Sequence, residues 1–336
     1  MDNPSVAALA TPSWDALAEK ALGGDYLTRD EALAVLRAPD EEVVSLLASA
    51  FRVRRAYFGV LVKLNMIVNA KSGICPEDCG YCSQSIVSTA EIPKYSMLDA
   101  DVLVAGAHEA WARKARTYCI VASGRGPSAR ELREVTAAVR RIKQELPMKV
   151  CACLGILGPE QARDLSAAGV DRYNHNLNTA ASHHARITST HTYDDRVATL
   201  EAVKAAGISP CAGFIAGMGE TDEQVVEIAF ALRDLDADSI PVNFLNAIPG
   251  TPLESRNELN PRRCLKMLSL LRLVCPAKEI RVAGGREVNL RSLQPLALYA
   301  ANSIFVGDYL TTPGQAAESD WAMLEDLGFE IEECAL

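Results

Sequence analysis

Eight short runs rich in β-branched and aromatic residues recur through the chain: KLNMIVNA, TYCIVAS, KVCACLGI, RYNHNLNT, SPCAGFIAG, SIPVNFLNA, EIRVAGG and NSIFVGD. Amphipathic stretches of helical period lie between them, among them SARELREVTAAVRRIKQ, TYDDRVATLEAVKAAG, TDEQVVEIAFALRDLD and PRRCLKMLSLLRLV. Strands alternating with single helices lie parallel in one sheet, and eight such units over roughly 250 residues close a (β/α)8 TIM-type barrel. The count favours this α/β barrel over an open doubly wound sheet. Upstream, Ser13 to about Phe58 reads helical, with Thr28 and Glu31 at capping-box spacing in TRDEALAVL. The expected organisation is an N-terminal helical extension over 1–58, a barrel over 59–313, and a C-terminal tail over 314–336 with no assigned barrel role.

The 336 residues, 49% hydrophobic and 23% charged, suffice for one large core. A net charge of −9 and the lack of any long Lys/Arg cluster argue against nucleic acid or an anionic membrane as the main partner. The first twenty residues show no positive segment followed by an apolar one, and no apolar run nears the roughly 18 residues of a membrane helix. A cytoplasmic protein is expected. In a reducing compartment ten cysteines point to metal, redox or burial more than to disulfides.

Three of those cysteines, Cys75, Cys79 and Cys82, crowd into KSGICPEDCGYCSQ directly after the first strand, where a barrel carries its active site. A C-x3-C-x2-C loop can converge its thiols on one centre, and thiolates suit zinc or iron–sulfur clusters. No local fourth ligand closes a structural zinc site. Three cysteines are what a 4Fe-4S cluster with one uncoordinated iron needs, and an open position is a catalytic feature. Three buried or redox-sensing thiols are the bland alternative.

This loop resembles the radical S-adenosylmethionine superfamily, and CPEDCGYCSQS is close to the form found in the biotin synthase family. The resemblance continues through ASGRGPS, RYNHNLNT, GFIAGMGET, PVNFLNAIPGTPLE, IRVAGGRE and NSIFVGDYLTTPG, from Trp14 to about Gly314. It implies that Cys75, Cys79 and Cys82 hold a 4Fe-4S cluster whose open iron chelates S-adenosylmethionine, and that one electron releases a 5′-deoxyadenosyl radical. Tyr81 then packs beside the adenine or merely covers the cluster.

Cys119, Cys151, Cys211 and Arg281 fall in four different strand runs, and correctly phased strand residues meet inside a barrel. By resemblance they bind a 2Fe-2S cluster; otherwise the thiols are small core hydrophobes and Arg281 pairs with an interior carboxylate. Cys153 shares the face of Cys151 and is a competing ligand or a bystander. Cys264, Cys275 and Cys334 read as structural or incidental.

A regular strand at RYNHNLNT would set Asn174, Asn176 and Asn178 on one face and His175 on the other. The resemblance assigns Asn176 and Asn178 to the adenosyl ribose and substrate region, Ile215 to the adenine, and Asn243, Thr311 and Thr312 to dethiobiotin. Some relatives carry Asp where this chain has Asn178. His175 reads as a packing residue and stays outside the catalytic set, which is empty. His183 and His184 read as solvated loop residues or a helix start.

The implied activity is insertion of sulfur between two saturated carbons of dethiobiotin, with two S-adenosylmethionine molecules consumed and the sulfur drawn from the 2Fe-2S cluster. The resemblance further implies a homodimer and a reducing protein such as flavodoxin or ferredoxin. The rivals are another radical S-adenosylmethionine enzyme on the same barrel, a non-catalytic iron–sulfur protein, and a zinc-stabilised barrel.

Overall fold

A computed structural model of the chain describes residues 13–333, so Cys334 lies outside it. Among the described residues three α-helices come first: α1 (Trp14–Leu22), α2 (Arg29–Leu36) and α3 (Val43–Phe58). Thr28 caps α2 through the expected box, its hydroxyl accepting from the Glu31 amide while Glu31 reaches back to the Thr28 amide. These helices bury Leu17, Val35, Leu46 and Val53 and pack on one another and on the helix Pro261–Val274, so they plaster one flank of the fold.

Ten parallel-paired strands follow: β1 (Leu61–Lys71), β2 (Thr117–Ala122), β3 (Lys149–Cys153), β4 (Arg172–Asn174), β5 (Ser209–Cys211), β6 (Phe214–Ala216), β7 (Ser239–Phe244), β8 (Glu279–Val282), β9 (Ser303–Phe305) and β10 (Glu330–Ile331). β5 and β6 are two pieces of one barrel strand, and β9 pairs back onto β1, which closes the eight-stranded barrel. Both strand faces are covered, one by helices and one by the barrel interior, which is why the runs read almost continuously apolar. Within β2 the alternation is visible: Tyr118 and Ile120 pack under the helices, while Cys119 and Val121 join the interior set.

Two expected strands are shorter than their sequence runs. RYNHNLNT is regular strand only through Asn174 and rejoins the sheet by a single bridge from Asn178 to Phe214, where Asn178 adopts φ +66°, so the two-residue alternation predicted through it does not hold. SPCAGFIAG breaks at Ala212–Gly213, where β7 comes so close that a Cβ on Gly213 would sit 1.8 Å from the Pro241 carbonyl oxygen. The chain after Pro313 forms the helix Ala317–Asp326 and β10, whose Glu330 and Ile331 pair with Leu61 and Val62 at the start of β1. Phe329 there meets Phe51 and Tyr299 edge-on, at 6.1 and 5.7 Å between centroids. No helix among the described residues is long and apolar enough to cross a membrane.

Candidate active site

The C-terminal ends of the strands surround a cavity of about 390 Å³. Its mouth is formed by the loop after β1, which carries Cys75, Cys79 and Cys82. That loop is pinned from two sides. The Gly80 amide donates to the Ile187 carbonyl at 2.9 Å, and the Gly80 carbonyl accepts from the Leu253 amide at 3.2 Å. Asp78 accepts from the Thr188 hydroxyl at 2.6 Å and the Ser189 amide at 2.9 Å, and these bonds hold its carboxyl well below the usual range against the opposing effect of burial. Burial pushes all three thiols up, Cys82 to about 12, and Arg196 pulls the other way at Cys79.

The second thiol set lies deeper. Cys119 and Cys151 are register partners on β2 and β3, and with Cys211 of β5 they form one buried cluster beside Ala283 and Phe305. Cys119, Cys151 and Arg281 face the cavity, whereas Cys211 is fully buried behind them, with the Asn174 amide donating to its sulfur at 3.3 Å. Cys153 lies two residues further along β3, opposite Val121, and lines the cavity outside that cluster, which favours Cys151 as the partner of Cys119. Arg281 has the interior carboxylate that the bland reading asked for, since its Nη2 donates to Glu279 at 2.6 Å.

Asn176, Asn178, Ile215, Asn243, Thr311, Thr312 and Tyr81 all line the same cavity. Asn176 accepts from the Gly213 amide at 3.0 Å through its side-chain oxygen. Asn243 spans two strand ends, donating to the Phe214 carbonyl at 3.2 Å and accepting from the Gly284 amide at 3.1 Å. Thr311 meets Ser83 hydroxyl to hydroxyl at 2.8 Å, which ties the β9 loop to the cysteine loop. His175 also opens onto the cavity, with its buried Nε2 unpartnered. His183 and His184 sit in the short helix Ala181–His184, as the helix-start reading had it, but the solvated reading is corrected: both are buried, His183 against the Met218 carbonyl at 3.3 Å and His184 edge-on to the rings of His191 and Tyr193.

Sequence reasoning missed a buried chain that joins these parts. Glu77, inside the cysteine motif, accepts from the Thr190 hydroxyl at 2.6 Å and pairs with His191 Nδ1. His191 Nε2 receives Arg196 Nε at 3.0 Å and Nη2 at 2.6 Å. An arginine only donates, so His191 carries its proton on Nδ1 and gives it to Glu77. Arg196 Nη1 donates to the Asn176 carbonyl at 2.8 Å, and the Asn178 side-chain oxygen accepts from Arg196 Nη2 at 2.9 Å and from Tyr81 at 2.7 Å. Among the described residues no carboxylate lies within ion-pair distance of Arg196, so a buried cation lines the cavity with neutral direct partners. In the sequence Arg196 is one unremarked position of the amphipathic stretch TYDDRVATLEAVKAAG; only Glu77, through its place in the motif, gave a signal.

Among the described residues no three His, Cys, Asp or Glu side chains converge as ligands of a single metal ion do. A multi-iron cluster gives each thiolate its own iron and so spreads its ligands. Three thiols facing one cavity wall, an uncompensated Arg196 and the orphaned His175 Nε2 fit a cluster with a bound anionic, hydrogen-bonding ligand. Three buried thiols over Arg281 fit a second, anionic centre, because the one Glu279 carboxylate beside Arg281 is shared with Arg172 and Lys63 and leaves the layer net positive.

A closed (β/α)8 barrel with a three-cysteine loop at its mouth defines the class, a radical S-adenosylmethionine enzyme, and the Radical SAM superfamily model matches residues 70–232. The Biotin and Thiamin Synthesis associated domain matches residues 241–330. The chain belongs to the biotin synthase family. It is 65% identical to the biotin synthase of Geobacillus kaustophilus, over 95% of this chain and 96% of that one. It is 62% identical to the biotin synthase of Bacillus pumilus, over 97% and 98%. In structure it resembles methylornithine synthase, with a TM-score of 0.83 at 20% identity over 94% of this chain and 97% of that chain. The FeFe-hydrogenase maturase HydG from Carboxydothermus hydrogenoformans gives a TM-score of 0.81 at 15% identity over 96% and 80%. Those two likenesses speak to the fold alone.

Proposed function

We propose that the chain forms biotin by inserting sulfur into dethiobiotin, with Cys75, Cys79 and Cys82 holding a 4Fe-4S cluster and Cys119, Cys151, Cys211 and Arg281 holding a 2Fe-2S cluster. When bound, the first cluster with S-adenosylmethionine supplies a radical that takes hydrogen from unactivated C–H bonds, and the second supplies sulfur. The observation that carries this reading is one cavity with thiols at both ends, Cys75, Cys79 and Cys82 at the mouth and Cys119 and Cys151 at the floor, joined by a polar wall of asparagines.

The protein's own residues bind and orient. Arg196 offers its charge to a carboxylate at the mouth, Asn176 and Asn178 reach ribose hydroxyls, and Tyr81 and Ile215 give an apolar seat for the adenine. Asn243, fixed at both ends by backbone, presents its remaining donor and acceptor sites to the ureido ring, while Thr311 and Thr312 meet the carboxylate tail. The electron comes from an external reductant such as flavodoxin or ferredoxin.

The test is a single turnover of anaerobically reconstituted protein with dethiobiotin, S-adenosylmethionine and reductant, quantifying biotin and 5′-deoxyadenosine by mass spectrometry. Wild type is expected to make both and Cys151→Ala to make no biotin. Formation of 5′-deoxyadenosine with dethiobiotin left intact in the wild type would overturn the substrate assignment.

A further inference from the structure

Beneath the three deep thiols lies a layer of charge that sulfur insertion does not account for. Glu279 on β8 is 4% exposed, yet its carboxylate collects five donors. Oε1 accepts from Arg281 Nη2 at 2.6 Å and from the hydroxyls of Ser239 and Ser303, each at 3.1 Å. Oε2 accepts from Arg172 Nη1 at 2.6 Å and Lys63 Nζ at 3.0 Å. These partners come from β1, β4, β7, β8 and β9, so the layer spans the barrel. Strand periodicity explains the pairing within β8, since residues two apart share the interior face. Register supplies the serines, with Ser239 opposite Glu279 and Ser303 opposite Arg281.

The same two serines also accept from Arg281, Ser239 from Nη2 at 3.1 Å and Ser303 from Nε at 3.2 Å. One edge of the guanidinium is therefore fully engaged. The Phe305 ring stacks 5.0 Å from Cζ and limits rotation of the plane. Nη1 is left as the guanidinium nitrogen with no hydrogen-bond partner among the described residues, on a side chain that lines the cavity beside Cys119 and Cys151.

We propose that Glu279 is a positioning residue for Arg281: with Ser239 and Ser303 it fixes the Nε/Nη2 edge so that Nη1 is the nitrogen presented to the centre held by the three thiols. This rests on the reading of Arg281 as a ligand of the second cluster. A guanidinium has three nitrogens of similar donor chemistry, and only an anchored edge selects one of them. Glu279 divides its work by oxygen. Oε2 accepts from Arg172 and Lys63, the latter also paired with Glu332 at 3.3 Å, and Oε1 serves Arg281 and the serines.

Glu279→Gln keeps the shape and removes the charge-assisted bond. The measurement is iron content, visible absorbance of both clusters, and the rate of cluster loss to a chelator, in wild type, Glu279→Gln, Arg281→Met and the double variant. Loss of the 2Fe-2S absorbance is expected to be about tenfold faster in Glu279→Gln, the effect of roughly one charge-assisted hydrogen bond, with the 4Fe-4S absorbance unchanged. In the Arg281→Met background the same change is expected to add nothing, because the residue it acts through is gone. A Glu279→Gln protein that keeps its 2Fe-2S cluster like wild type, or effects that simply multiply in the double variant, would overturn the proposal. Should Glu279→Gln fail to fold, Ser303→Ala removes one hydroxyl from the same edge; several-fold faster loss supports the proposal and an unchanged rate sinks it. A wild type that binds four irons and no second cluster would instead remove the Arg281 reading itself.

Discussion

His191 is the joint through which the cysteine loop holds the cavity's buried cation, and removing it is expected to weaken S-adenosylmethionine binding more than it weakens the fold. His191→Ala deletes the acceptor for Arg196 Nε and Nη2, bonds of 3.0 and 2.6 Å, and leaves Glu77 without its imidazole partner. Arg196 keeps the Asn176 carbonyl and the Asn178 side-chain oxygen, so the guanidinium stays in the cavity but is free to turn. Losing these two charge-assisted bonds, which share the single acceptor Nε2, is expected to cost about 2 kcal/mol, or roughly thirtyfold in affinity. Isothermal titration of S-adenosylmethionine into anaerobically reconstituted protein reads this directly, and steady-state turnover is expected to show it in KM for S-adenosylmethionine more than in kcat. His191→Gln is the control, because an amide oxygen can accept from Arg196 while its nitrogen donates to Glu77. An unchanged dissociation constant in His191→Ala would refute the reasoning. So would a Gln variant as weak as Ala with an equally lowered melting point, since that pattern belongs to packing alone.

Two further outcomes follow from packing and burial. Gly213→Ala would drive a Cβ to 1.8 Å from the Pro241 carbonyl oxygen, a backbone atom that cannot yield without moving β7; a loss of about 3 kcal/mol is expected, seen as a melting point lower by roughly 5 °C, and an unchanged melt would deny the close approach. The cluster-free protein is expected to lose stability as pH falls from about 6.5 toward 4, because burial depresses the pKa of His175, His184 and His191, with His184 at about 4. In that window the unfolded chain binds the extra protons, so the stabilisation is complete above the free-histidine pKa and lost as pH falls through it, about 2 kcal/mol from His184 after allowance for solvent screening. Urea midpoints at pH 7.5 and 5 check it, and His184→Gln is expected to flatten part of the slope.

The barrel was legible because its strands obey a local rule. Parallel strands buried on both faces need apolar β-branched runs, and the helices between them need one apolar stripe, so both periods are written along the chain. The cysteine loop was legible for a similar reason, since its three thiols are close in sequence and their spacing carries the chemistry. RYNHNLNT misled because its alternation mimics a continuous strand while regular pairing stops at Asn174 and resumes only as one bridge at Asn178, and the buried side of His183 and His184 left no mark in a polar, loop-like stretch.

Alone, the sequence determined the class of fold, the first thiol set and, through ordered motifs, the family. Which residues share a layer was decided only by strand register: Cys151 opposite Cys119, with Cys153 one step beyond, is a fact about pairing between chain segments about thirty residues apart. The same holds for Arg196 and Glu279. A charged residue written into a helix or strand looks like any solvated charge, and only the closed barrel, which strips it of water and, for Glu279, brings partners from four other strands, turns it into a fixed element of the site.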